Sequence, residues 1–341
     1  MDLEIVFLGT SASAPTAQRS PMAVLVRRGG DRLLFDCAEG TQRQLLRSTL
    51  GLPDLEEVFL THFHADHYLG LPGMLKTFSL RQRELPLTVY GPPGLVELYR
   101  SLGRIVGRLS YPVELQELRP GQALDRDGYR ILVFPVHHGV SAVGYVVAED
   151  ERPGEFDAAG ADALGIPFGP ERGALQRGES ITLADGRVLT PDAVLGAPRP
   201  GRRIVLPGDT APVETVRVLS ERADVLVHEA TFLEDERDRA AETLHSTALQ
   251  AAELARDAGV RLLALTHVST RYFGPELARE AGEVFEATVV PKDFDVIEVP
   301  FAERGEPRLV RRGARPQRTA VSDTLTARPP AAEHARVSDT S

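Results

Sequence analysis

Short apolar runs recur along this chain, and most of them end in Gly, Asp or His. Leu3–Leu8 reads as a buried strand. Ala23–Val26 and Leu33–Phe35 predict a hairpin around Gly29-Gly30-Asp31. Further strands are predicted at Val58–Thr61, Leu87–Tyr90, Arg130–Val136, Ala142–Val147, Ile204–Leu206, Val225–Val227, Leu262–Leu265 and Asp295–Val299. Helical spacing covers Thr41–Leu50, Leu69–Leu80, the stretch from Gly94 to about Leu109, Thr247–Ala258 and Pro275–Glu286. Strands and helices therefore alternate. Between 151 and 203 the pattern breaks into Gly, Pro and charge, where only Ser180–Leu189 predicts a small hairpin, turning at Asp185-Gly186. From 312 to 341 apolar residues give way to Pro, Ala, Ser, Thr and Arg, which predicts a disordered tail.

Composition narrows the picture modestly. A chain of 341 residues that is 42% hydrophobic can bury a full core. No apolar run approaches the ~18 residues of a membrane span, and no signal-peptide pattern opens the chain, so a cytoplasmic protein is expected. Cys37 is the only cysteine, which excludes intrachain disulfides and argues against a thiolate metal cluster. A net charge of −10 argues against non-specific nucleic-acid binding but leaves room for a local basic patch. Lys76, Arg81, Arg83, Arg100, Arg104 and Arg108 form the clearest one.

The chemistry gathers where strands end. His62-Phe63-His64-Ala65-Asp66-His67 follows the Val58–Thr61 run directly. Imidazole nitrogen and carboxylate oxygen are the donors that zinc and similar divalent metals take. His138, Asp209 and His267 also lie just past apolar runs. Together His62, His64, Asp66, His67, His138, Asp209 and His267 are too many ligands for one tetrahedral zinc. They suit two metals about 3.5–4 Å apart that share a carboxylate and a water. Asp209 is expected to bridge, because its Pro207-Gly208 turn permits close backbone approach. Asp66 has two readings, a ligand only or a ligand that also orients the attacking water and takes its proton. Only one of the neighbours His137 and His138 can point into the site from a strand.

Several segments resemble bacterial ribonuclease Z of the metallo-β-lactamase superfamily, over roughly residues 1–310. Leu34-Phe35-Asp36-Cys37-Ala38-Glu39-Gly40-Thr41-Gln42 is similar to that family's DCGEGTQ segment, with Ala38 in place of Gly. Pro207-Gly208-Asp209-Thr210 and His228-Glu229-Ala230-Thr231-Phe232 match two more segments. His245-Ser246-Thr247, 22 residues before the final ligand in Leu265-Thr266-His267, matches another pair. The interval to Gly144-Tyr145 selects His138 over His137.

The resemblance implies an αββα sandwich in residues 1–311, interrupted by an arm at 151–203. It implies an endoribonuclease that removes the 3′ trailer from precursor tRNA and leaves a 3′-hydroxyl. Two Zn²⁺ per subunit are expected, with Mn²⁺ able to use the same ligands. Glu229 is expected to hold the imidazole of His245, which would donate a proton at the scissile phosphate. His228 is expected to be structural. A homodimer is implied, one subunit's arm serving the other's site. Ile166-Pro167-Phe168-Gly169-Pro170 resembles the glycine–proline tip of such an arm. Gly169, Pro170, Arg172 and Arg177 are candidate RNA contacts there, and Arg81 and Arg83 near the site. The segment 151–203 is not basic overall, with seven Arg against eight Asp and Glu. A small-molecule phosphodiesterase or arylsulfatase-like hydrolase of the same fold would keep the ligands and have no use for the arm.

Overall fold

Alternate residues of each central strand go to different cores. On Leu3–Gly9, Leu3, Ile5 and Phe7 face one apolar cluster while Val6 and Leu8 face another. On Arg203–Gly208, Ile204 and Leu206 join the first cluster, and Val205 enters a third. The period-two geometry of a strand thus builds three apolar layers from two sheets. In the computed structural model, which describes residues 2–52 and 55–312, these are two mixed sheets packed face to face with helices outside, an αββα sandwich.

One sheet has eight strands, in the order Arg308–Val310, Val296–Glu298, Leu3–Gly9, Ala23–Arg28, Asp31–Phe35, Glu57–Phe59, Leu87–Gly91 and Val113–Glu117. The other has seven, in the order Thr288–Val289, Leu262–Thr266, Val225–Glu229, Arg203–Gly208, Val143–Glu149, Tyr129–Pro135 and Ala123–Arg126. Helices Thr41–Arg47, Gly70–Leu80 and Leu95–Val106 cover the first sheet. Helices Glu214–Leu219, Ala248–Ala258 and Gly274–Gly282 cover the second.

Strands Val113–Glu117, Ala123–Arg126 and Arg308–Val310 are additions to the sequence reading. They lie at or beside sheet edges and carry Glu114, Glu117, Asp125 and Arg308, charges that hide the strand pattern and blunt an edge against further pairing.

Parallel strands in both sheets end on the same side. Asp31–Phe35 and Glu57–Phe59 run parallel, as do Arg203–Gly208, Val225–Glu229 and Leu262–Thr266. Their C-terminal ends lead into Asp36, His62, Asp209, Glu229 and His267. The sheets are stitched there: Val143 N donates to Thr61 O at 2.9 Å, and the buried Tyr145 hydroxyl donates to Leu60 O at 2.7 Å.

The segment 151–203 is more ordered than its composition predicts. It contains helices Ala158–Ala163 and Pro170–Gln176 and the hairpin Ile181–Thr182/Val188–Leu189. Ala161, Ile166, Leu175, Ile181 and Val194 form a small core of its own. Five spaced apolar residues in a Gly- and Pro-rich stretch show no periodicity, so this core was invisible in sequence. The expectation for 312–341 falls outside the described residues except at Arg312, which pairs with Glu298 at 3.3 Å.

Candidate metal centre

The seven ligands expected from sequence meet at that common edge, and Glu229 and His245 fall in the same set of possible donors. His62 and His64 come from extended backbone after Glu57–Phe59, and Asp66 and His67 from the single helical turn Ala65–Tyr68 that follows. Extended chain followed by a tight turn aims four side chains inward within six residues. Asp209 approaches from the other sheet through Gly208, whose φ is +70°. A Cβ at Gly208 would lie 2.9 Å from Cβ of Thr61, so only glycine permits this approach. His138 turns into the cluster and His137 is exposed, as expected from the interval to Gly144-Tyr145.

Neighbouring groups orient the imidazoles. Thr61 Oγ1 donates to Asp36 Oδ2 at 2.9 Å and so accepts from His62 Nδ1 at 3.0 Å. His67 Nδ1 donates to Asp36 Oδ2 at 2.8 Å. His138 Nδ1 donates to Leu244 O at 3.1 Å. Thr231 Oγ1 donates to Glu229 Oε2 at 2.6 Å and accepts from His267 Nδ1 at 2.8 Å. In all four rings Nδ1 faces the supporting group, which leaves Nε2 turned to the cluster and able to present a lone pair to a cation.

Those lone pairs converge on two places. His62 Nε2 and His138 Nε2 lie 3.1 and 3.0 Å from His64 Nδ1. His267 Nε2 lies 3.3 Å from Asp66 Oδ2 and 3.3 Å from Asp209 Oδ2, and His67 Nε2 is also 3.3 Å from Asp209 Oδ2. Asp209 Oδ2 is 3.9 Å from His62 Nε2, which puts one oxygen between the two groups. Donors 2.0–2.1 Å from a tetrahedral ion stand about 3.3 Å apart, so these spacings fit metal ligation. Buried His67 Nε2 and Asp209 Oδ1 have no hydrogen-bond partner, a costly arrangement that a cation relieves.

The electrostatics agree. Burial opposes ionisation of Asp66 and Asp209, yet His267 and His67 hold both below the ordinary carboxylate range. Burial disfavours imidazolium at His67, but Asp209 and Asp36 raise it well above its ordinary value.

Glu229 and His245 sit beside the ligands. His245 Nδ1 lies 2.7 Å from Glu229 Oε1. Burial lowers the imidazolium pKa, but Glu229 outweighs it and raises the value to about 9. Glu229 is buried and receives Thr210 N at 2.9 Å on the same oxygen. His228 is buried, held through Nδ1 to Glu229 O at 2.8 Å, and belongs to none of the ligand groups.

A protein from Halorubrum lacusprofundi named ribonuclease Z is 44% identical over 90% of this chain and 100% of its own length. One from Myxococcus xanthus with the same name is 46% identical over 88% of this chain and 99% of its own. This chain belongs to the ribonuclease Z family. The beta-lactamase superfamily domain matches residues 31–195. The crystal structure of human tRNase Z, short form, is similar with a TM-score of 0.64 at 27% identity, covering 87% of this chain and 99% of that one. The metallo-β-lactamase fold protein YhfI from Bacillus subtilis has the same fold, with a TM-score of 0.64, 20% identity, and coverage of 87% and 100%.

None of the candidate RNA contacts of this ribonuclease Z family member belongs to the groups of possible metal donors. Arg81 and Arg83 follow helix Gly70–Leu80, whose 11 residues separate them from the ligand turn by ~16 Å. Arg81 is exposed, whereas Arg83 donates to Leu85 O and Pro86 O, both at 2.8 Å. Gly169 and Pro170 start an arm helix, and the adjacent Phe168 is 93% exposed. Arg172 folds inward onto Asp162 and Ile166 O, and Arg177 pairs with Glu179 at 3.0 Å. Both are engaged within the arm.

Sequence reasoning missed Asp36, Thr61, Thr231 and the Leu244 carbonyl. Asp36 and Thr61 carried a signal, since each also closes a strand; Leu244 carried none.

Proposed function

We propose that this chain hydrolyses a phosphodiester of precursor tRNA as a metal-dependent endoribonuclease, releasing the 3′ trailer and leaving a 3′-hydroxyl. The observation that carries this is the Glu229–His245 pair beside a two-part ligand cluster, on a chain 44–46% identical to proteins named ribonuclease Z. His62, His64 and His138 would hold one ion, Asp66, His67 and His267 a second, with Asp209 shared. The donor set suits Zn²⁺, and Mn²⁺ could use it. When bound, the ions acidify water towards a pKa of ~7 and offset phosphate charge.

The chain's own residues supply the rest. Asp66, in the turn that carries the ligands, would orient a water and accept its proton. His245, protonated through Glu229, donates to the departing oxygen. Asp36, Thr61 and Thr231 hold the imidazole rings so that no reorientation is needed during reaction. The arm 151–203 would grip the RNA away from the scissile bond, with exposed Phe168 and the Gly169-Pro170 turn at its surface. In this reading the protein acts as a homodimer, one subunit's arm serving the other's site. A cytoplasmic setting suits a tRNA substrate; among the described residues no helix is long and apolar enough to cross a membrane.

The test uses a pre-tRNA transcript with a 3′ trailer and bis(p-nitrophenyl) phosphate. Metal-loaded protein should cleave both. Hydrolysis of the small ester with the transcript left intact would overturn the tRNA assignment.

A further inference from the structure

The arm joins the sandwich through a narrow neck. Its two strands pair at Arg152 with Arg199 and at Phe156 with Leu195. They pack so closely that a Cβ on Gly154 would lie 2.0 Å from Gly196 O. Beyond the neck, the arm's apolar cluster is made only of its own residues, Phe156 to Val194.

A short segment near the C-terminal edge strand grips this neck. Glu303 accepts from Arg152 Nη1 at 2.8 Å and Nη2 at 3.2 Å, and from Arg199 Nη1 at 3.5 Å. It therefore ties both neck strands at once. Phe301 stacks on two guanidiniums: Arg152 Cζ is 3.5 Å and Arg202 Cζ 4.1 Å from its ring centroid. Arg202 in turn is buried, donating to Val299 O at 2.9 Å and to Glu149 at 2.7 Å. One end of the grip is thus set in the core, and the other holds the neck.

We propose that Phe301 and Glu303 are positioning residues that set the direction of the arm and so the affinity for pre-tRNA. The inference rests on the reading of the arm as an RNA grip. Neither residue belongs to the ligand cluster, and Glu303 is half exposed. Exposed charge pairs contribute little to global stability. Their leverage here is geometric: freedom at the neck is magnified along the arm and lowers the effective concentration of its RNA-binding surface at the substrate. The hydrogen bonds from Arg152 are the main reason the Glu303 carboxyl titrates low, at about 2, so the grip persists at any pH the enzyme meets.

The experiment measures KM and kcat for Glu303→Ala and Phe301→Ala with pre-tRNA and with bis(p-nitrophenyl) phosphate. A third protein joins Gly154 to Gly196 and so lacks the arm. The proposal expects KM for pre-tRNA to rise about fivefold or more in both point variants, with kcat and small-ester turnover unchanged. Protease cleavage within the neck should also accelerate. Unchanged KM in the point variants, while the armless protein shows a raised KM, would overturn the clamp alone. Equal losses on both substrates would mean a structural role and overturn it too. Unchanged KM in the armless protein would overturn the arm reading, and the clamp with it.

Discussion

Asp36 Oδ2 accepts a 2.8 Å hydrogen bond from His67 Nδ1 and a 2.9 Å bond from Thr61 Oγ1, which itself holds His62. One buried carboxylate therefore orients imidazoles assigned to both halves of the metal centre. Asp36 has φ +59°, a conformation that Asn tolerates better than other replacements. Asp36→Asn should keep the fold and lower metal affinity about 10–100-fold. Competition with a chromophoric zinc chelator reads this directly; unchanged affinity would remove Asp36 from the working site.

His245 and Glu229 touch each other and border the ligands. As proton donor and holder they should matter to turnover more than to metal. His245→Ala and Glu229→Gln should each lower kcat on pre-tRNA about 10²–10⁴-fold, with bound metal per chain unchanged by elemental analysis. Loss of metal in step with activity would make them ligands instead.

Chelation should abolish cleavage of both substrates, and returning zinc should restore it. It should also destabilise the fold, because buried His67 Nε2 and Asp209 Oδ1 then have no partner. Metal at about 100 times its Kd adds about 2.7 kcal/mol, which appears as a higher Tm. A melting temperature insensitive to metal would count against the ligand assignment.

Acid stability should depend on Glu149. Its carboxylate accepts from Arg28 Nε at 2.8 Å and from Arg202 Nε at 2.7 Å, with all three side chains largely buried. Burial raises its pKa, but the two guanidiniums win and the group titrates below its ordinary value. An unfolded Glu titrates near ~4.3, so this stabilisation is complete above that pH and lost as pH falls through the lower folded value. Glu149→Gln strands two buried cations and should cost about 3–5 kcal/mol at neutral pH. Urea titrations between neutral and acid pH should show the difference between the proteins shrinking as the wild-type carboxylate protonates.

The convergence of the seven candidate ligands could be anticipated without coordinates, because each follows an apolar run and strand ends are where two sheets can bring distant residues together. The supporting groups were less legible: Asp36 and Thr61 close strands, but their partners could not be read. Thr61 meets Asp36 across 25 residues, and His138 meets the Leu244 carbonyl across 106. A strand end marks Thr61 as a position, but nothing local marks Thr231, the Leu244 carbonyl or which residue each group meets.

The sequence by itself determined the alternation of strands and helices, the candidate ligands and the break at 151–203, because hydrophobic periodicity and donor chemistry are local properties. Tertiary structure decided which nitrogen of each imidazole faces the cluster, that one oxygen of Asp209 lies between both groups, and that the arm has its own core and a clamped neck. Those features depend on hydrogen bonds and packing between segments far apart in the chain, and such contacts exist only after the two sheets have closed on each other.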